Sequence, residues 1–274
     1  MTTRQRKINA LYGYIVGDAL GVPFEFSKIN RLKKLEMIGH GTHDQPAGTW
    51  SDDTSFVLAT LNSDKTITSI HENYLKVLDG GYSIDYLFDV GQGTADHIEN
   101  GYNPCFQETQ SKGNGSLMRV LPFALLARTG DEGIIKNSVI DAYIHKLNLD
   151  AGRLTHDNRE SRDACGVLLR LYIQLLRGKI LELSEKYEDI SKTATNGYVE
   201  DSLKICINVG LTAKSYEEAM LTCINLGGDT DTHCAITGSI VALRLGKVPQ
   251  KLINKLRGKD SIETIIEKSV WLEK

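Results

Sequence analysis

Two short stretches of this chain concentrate acidic and hydroxyl side chains. In Ile224-Asn225-Leu226-Gly227-Gly228-Asp229-Thr230-Asp231-Thr232 an apolar run reaches a Gly-Gly pair, and two aspartates then alternate with two threonines. No lysine or arginine lies between Lys214 and Arg244 to neutralise them. A second knot, Trp50-Ser51-Asp52-Asp53-Thr54-Ser55, is equally free of nearby bases. Carboxylates with hydroxyls, and no cluster of sulfur or imidazole, are the donor set of a hard, oxygen-seeking cation such as magnesium.

Each knot also has a plainer reading. Serine or aspartate before an apolar helical run is ordinarily an N-cap or a partner of the helix dipole. Against that, each knot carries two carboxylates where a cap needs one. If the knots meet, four carboxylates share a small volume. Two like charges about 4 Å apart repel by roughly 4 kcal/mol at an effective dielectric of about 20. Several such pairs would consume much of the roughly 5–15 kcal/mol that stabilises a domain, and a divalent cation would remove the penalty. Spacing cannot show that they meet, because Asp53 and Asp229 lie 176 positions apart.

Four other segments hold chemistry-bearing residues. Asp18 and Glu25 flank the turn of Gly17-Asp18-Ala19-Leu20-Gly21-Val22-Pro23-Phe24-Glu25; at their plainest they are a C-cap and a solvated carboxylate. Asp89 and Gly91 lie in a glycine-rich break, Phe88 to Thr94. Gly113-Asn114-Gly115-Ser116 precedes an apolar run and is either a simple turn or a source of free N–H groups for a phosphate. His156, in Leu154-Thr155-His156-Asp157, is one of seven histidines and reads alone as a satisfied polar residue.

Helices must position these groups. Ile8, Leu11, Tyr12, Ile15, Val16, Ala19 and Leu20 form one helical face, stopped by Gly21-Val22-Pro23. Residues 27–49 show little periodicity and are expected to be loop. Helices are expected from Ser51 through Leu61 and at about 68–78, 83–88, 92–99, 131–147, 158–178, 199–211, 235–245 and 261–271. Pro122 lies inside the apolar run 117–126, either kinking it or sitting in a first turn. Ser215 and Glu218 fit a capping box for the helix leading to Gly227. Sustained alternation is missing, and no repeat of fixed period is present. The expected fold is all-α, a single compact many-helix domain over residues 1–274.

Composition limits the function. The 274 residues are 41% hydrophobic and 24% charged with net charge −3, ordinary for a globular protein and without an electrostatic grip on nucleic acid or membrane. Five scattered cysteines without a C-x-x-C pair suit a reducing, cytoplasmic setting. The polar, basic start is not a signal peptide, and no apolar run is long enough for a membrane span. A monomer is expected.

In order, G-D-A-L-G-x-P-x-E, W-S-D-D-T, D-V-G, G-N-G-S-L-M-R, T-H and G-G-D-T-D-T resemble the ADP-ribosylglycohydrolase family from about Gly17 to Gly238. The Gly113–Arg119 and Gly227–Thr232 blocks are the most specific. The resemblance implies an all-α domain with two magnesium or manganese ions at the bottom of an ADP-ribose cleft. Implied metal ligands are Ser51, Asp52, Asp53, Asp229, Asp231 and Thr232. Asp89, Glu25 and Asp53 are the implied catalytic carboxylates, and their division into acid and base stays open. Gly113, Asn114, Gly115, Ser116 and Met118 would line the pyrophosphate and ribose, with Gly91 and His156 also in the cleft.

Three departures from the family pattern stand out: Ser51 for the commoner threonine, Gln92-Gly93 in the segment after Asp89, and His233-Cys234 where small apolar residues are usual. The implied reaction is metal-dependent hydrolysis at ribose C1″ of an ADP-ribosylated acceptor, such as a protein arginine, releasing ADP-ribose. A magnesium-dependent phosphohydrolase and a non-catalytic ADP-ribose-binding relative are the alternatives. No spacing suggests a Ser-His or Cys-His nucleophile.

Overall fold

A computed structural model describes residues 2–27, 32–101, 111–128 and 134–273, with backbone alone over 134–137. Cys105, one of the five cysteines, lies outside the described residues. Within them the chain is helical, and two isolated bridges, His40 to Gln45 and Gly113 to Tyr198, stand in place of strands. The all-α expectation therefore holds.

The chain begins with α1 (Thr3–Gly21), capped by Thr2, whose hydroxyl accepts from Gln5 N. Gly13, Gly17 and Gly21 recur every fourth residue along it, forming one smooth stripe. That stripe lies on α10 (Thr230–Leu245). A Cβ on Gly17 would collide with the Cys234 carbonyl, one on Gly21 with the backbone of Asp231, and one on Gly13 with the Gly238 carbonyl. The two helices thus approach more closely than side chains would permit, and Gly238 opposes Gly13 from the other side. This seam holds the end of α1 against the start of α10, where one acidic knot lies.

The other helices wrap this pair. In chain order they are α2 (Asp52–Leu61), α3 (Ile67–Leu78), α4 (Gln92–Glu99), the single turn α5 (Leu121–Ala124), α6 (Ile134–Arg153), α7 (Arg159–Leu176), α8 (Val199–Thr212), α9 (Tyr216–Leu226), the short α11 (Gln250–Ile253) and α12 (Lys259–Lys268). Fully buried Tyr14, Phe56, Tyr74, Phe123, Tyr172 and Trp271 belong to one continuous core. Among the described residues no helix is long and apolar enough to cross a membrane.

Several expectations needed revision, and for Pro122 one of the two expected placements is the one found. Residues 83–88 are not helical. Gly80 and Gly81 follow α3, the Tyr82 carbonyl accepts from Trp50 Nε1 and Ser55 Oγ, and the segment ends at Asp89 with φ +67°, a value no right-handed helix has. Pro122 sits in the first turn of the very short α5 and kinks nothing. α10 begins at Thr230 rather than near 235, so the second knot is part of that helix's first turn. α6 runs to Arg153 rather than 147, and α11 carries too few residues for periodicity to reveal. The capping box formed differently: Ser215 Oγ accepts from Glu218 N, while the Glu218 carboxylate accepts from Lys214 N.

Candidate functional site

The two acidic knots meet. Thr232 Oγ1 donates to Asp53 Oδ2 at 3.0 Å, and ligand atoms of Glu25, Asp229 and Asp231 all lie within 4.8 Å of one another. The α1–α10 seam sets this geometry, and Thr230 Oγ1 locks it by donating to Gly21 O at 2.8 Å. Beyond Gly21 a short turn swings Glu25 over the start of α10, where Phe26 N donates to Gly228 O at 2.7 Å. Gly227 and Gly228 both have positive φ, and a Cβ on Gly228 would strike the carbonyl of Thr195. Only glycine permits that approach, and Asp229 N donates to the same carbonyl at 2.7 Å.

Asp18 is not a C-cap of its own helix. Its carboxylate reaches across to the start of α2, accepting from Ser51 N and Thr54 N at 3.0 Å each. Ser51 Oγ accepts from Asp53 N, so Ser51 fills the N-cap role. Those bonds aim Asp52 and Asp53 at α10. Tyr14, fully buried in α1, brings its hydroxyl to 2.9 Å from Asp53 Oδ1.

Burial and mutual repulsion raise the acids of the cluster. Burial first, then Asp53 and Asp89, drive Asp52 well up; Asp53 and Asp231 rise for the same two kinds of reason. Glu25 is 2% exposed rather than solvated, and burial followed by Asp229 pushes it to about 8. Asp89 also rises to about 8, through burial and the Glu25 charge. Asp231 Oδ2 is buried without any hydrogen-bond partner. A packed set of oxygen donors that opposes its own ionisation, with one acceptor left bare, fits a divalent cation.

At the rim, Asp89 is held with φ +67°, a strained backbone for aspartate that aims it into the cleft. His43, in a short turn of the 27–49 loop, meets Glu25 through Nε2 and lies 4.0 Å from Asp89. Its ring packs on Phe88 at 5.0 Å between centroids.

The opposite wall is the Gly113–Ser116 turn, tied to the far chain by Asn114 N donating to Gly197 O at 2.9 Å. Asn114 Nδ2 donates to Asp229 Oδ2 at 2.6 Å, linking the turn to the acidic cluster. His156 faces this turn through its Cε1–Nε2 edge, with Nε2 toward Gly113 and Cε1 closest to Gly115. Its tautomer follows from its neighbours. Arg119 Nη2 donates to Thr155 Oγ1 at 2.5 Å, and Thr155 Oγ1 lies 2.8 Å from His156 Nδ1. Thr155 is fully buried, so its own proton must go to Nδ1, which leaves the imidazole proton on Nε2. Burial, with Arg119 second, pushes His156 down to about 3, so the ring is neutral and presents one N–H to the cleft.

Acidic cluster and turn enclose a cleft of about 260 Å³. A family model described as ADP-ribosylglycohydrolase matches residues 1–274. The chain belongs to the ADP-ribosylglycohydrolase family. It is 24% identical over 96% of its length, and 78% of the relative, to the ADP-ribosylarginine hydrolase Tri1 of Serratia proteamaculans (strain 568). It is 25% identical over 93% of its length, and 91% of the relative, to the ADP-ribosyl-[dinitrogen reductase] glycohydrolase of Rhodospirillum rubrum. A solved structure, an ADP-ribosylglycohydrolase-related protein complex, superposes with a TM-score of 0.74 at 24% identity, covering 96% of each chain.

In this ADP-ribosylglycohydrolase, Glu25, Asp52, Asp53, Asp89, Gly91, Gly113, Asn114, Gly115, Met118, His156, Asp229 and Thr232 all line the cleft. Asp231 lies buried beneath it. Ser51 stands behind Asp53 as the helix cap, and Ser116 faces an adjoining cavity instead. Sequence reasoning missed His43, because nothing in an aperiodic loop marks a histidine that folds back onto Glu25. It also missed Tyr14, hidden in an apolar helical face, and Asn196-Gly197, which line the cleft beside Asp229. Unusual His233 is buried behind the cluster, its Nε2 3.1 Å from Ser202 Oγ.

Proposed function

We propose that this ADP-ribosylglycohydrolase hydrolyses the bond between ribose C1″ of ADP-ribose and an acceptor side chain, using divalent cations held by the two acidic knots. The observation that carries this reading is the meeting of Glu25, Asp53, Asp229, Asp231 and Thr232 directly beside the Gly113–Ser116 turn. Two relatives are named for removing ADP-ribose from arginine and from dinitrogen reductase, so arginine is the acceptor we assign first.

Asp52, Asp53, Asp229, Asp231 and Thr232, with Ser51 and Glu25 adjoining, would hold two magnesium or manganese ions. Bound there, such ions supply Lewis acidity and a water of lowered pKa. The residues do the rest. His156 Nε2–H and the backbone of Gly113 to Ser116 bind the pyrophosphate; glycine at 113 and 115 lets it come close, and a Cβ on Gly115 would press on the His156 ring. Asn114, bonded to Asp229, fixes the distance between phosphate turn and acids. As the bond to C1″ breaks, the ribose gains positive charge, and the surrounding carboxylates stabilise it. Glu25 and Asp89, adjacent and both raised to about 8, hold and release the proton exchanged between water and leaving group. His43 orients Glu25.

The deciding experiment is a panel of ADP-ribosylated acceptors (arginine, serine, nucleobase, O-acetyl-ADP-ribose) alongside simple phosphoesters, assayed with magnesium, manganese and EDTA. Release of ADP-ribose from at least one acceptor, lost in EDTA and restored by either metal, supports the reading. Phosphate release without ADP-ribose release would replace it with a phosphohydrolase.

A further inference from the structure

A second cavity, about 420 Å³, opens between α6 and α7 on the other side of the cleft wall. His156 lines both spaces, and Ser116 lines the second alone. The chemistry of this second space is opposite to that of the cleft. Where the cleft is lined by carboxylates, this cavity is lined by His145, Lys146, Arg162 and Arg170, with Asp163 the one acid among its lining residues. That acid is 70% exposed and takes Arg159 as its partner.

The bases are not all neutralised. Arg162 shares Asp157 with Arg153, and Lys146 pairs with Asp150. Arg170 has no carboxylate partner among the described residues, and its charge helps hold His145 in the neutral form, second to burial. Two polar side chains more than nine-tenths buried also line the space, Asn148 at 6% and Ser161 at 1% exposure. Ser161 Oγ has no hydrogen-bond partner. A buried hydroxyl without a partner is costly unless a ligand supplies one. Ser161 and Arg162 stand in the first turn of the 18-residue α7, whose positive dipole end favours an anion.

We propose that the cavity between α6 and α7 binds a phosphate group, carried as the free ion or as a small monoester, at a site separate from the ADP-ribose cleft. Arg170 and Arg162 would grip its oxygens through their guanidinium forks, with the Ser161 hydroxyl and Asn148 amide completing the cradle. The proposal does not rest on the reaction assigned to the cleft.

Isothermal titration of the full-length protein with inorganic phosphate, repeated with saturating ADP-ribose, tests it; AMP replaces phosphate in a parallel arm. Phosphate should bind equally well with ADP-ribose present, and Arg170→Gln should weaken it about tenfold or more. Ser161→Ala, a small deletion inside α7, should weaken it in the same direction. Arg170-dependent binding of AMP extends the site to monoesters, and binding of phosphate alone restricts it to the free ion. Displacement of phosphate by ADP-ribose, or undiminished binding in Arg170→Gln, would overturn the proposal.

Discussion

Thr232 Oγ1 and Asp53 Oδ2, 179 positions apart in sequence, are joined by a 3.0 Å hydrogen bond. That bond closes the two acidic knots on each other. It binds the first turn of α10 to the first turn of α2, so both helix N-termini direct their positive ends at the same acids. What the dipoles and the Asp18 cap cannot offset is the repulsion among Glu25, Asp52, Asp53, Asp229 and Asp231.

Removing one of those acids separates function from stability. Asp231→Asn should reduce cleavage of an ADP-ribosylated substrate by at least ~100-fold while raising the melting temperature measured in EDTA, because it removes one buried repelling charge. Calorimetry in EDTA and in magnesium reads both halves. A variant that still turns over, or that melts lower in EDTA, would contradict the arrangement.

The raised acids give a signed pH dependence. Glu25 and Asp89 both titrate at about 8 in the folded protein against ordinary values of 4.5 and 3.8. Between those limits the folded state binds more protons than the unfolded one, so stability falls as pH rises from about 4 to about 8. Metal-free protein should therefore melt progressively lower across that range. Magnesium should add progressively more stability over the same window, since it binds the ionised carboxylates. Thermal melts at several pH values, with and without metal, give the comparison; a flat metal-free profile would count against it.

The glycine seam should be intolerant. Gly17→Ala places a methyl group on the Cys234 carbonyl with no room to move, and overpacking of this kind destabilises by about 1–3 kcal/mol or more. Urea denaturation measures it. Because the seam positions Glu25 against Asp229, the variant should also lose activity at temperatures where it remains folded.

Thr155 should act through His156. Thr155→Val removes the hydroxyl that places the imidazole proton on Nε2, and ADP-ribose affinity should drop about five- to tenfold, the size of one hydrogen bond. Thr155→Ser should restore it. Nitrogen NMR of His156 reports the tautomer directly, and an unchanged tautomer in Thr155→Val would refute the relay.

Much of this protein was legible in one dimension. Helical periodicity gave the all-α fold and the extent of helices such as α4 and α8, because a helix buries one face and its apolar residues must recur at that spacing. The two knots were visible because a double carboxylate without a nearby base has few purposes. Their meeting was not, since contact between Asp53 and Asp229 depends on how α1 lies on α10, and glycine spacing on one helix does not name its partner. The same limit hid His43 and Tyr14, which acquire meaning only through what the chain folds them against, and let residues 83–88 pass for a helix that the folded chain does not form. Sequence by itself determined which groups could carry the chemistry; the tertiary structure decided which of them share a cleft, because only packing brings charges so distant in the chain close enough to repel, bond and act together.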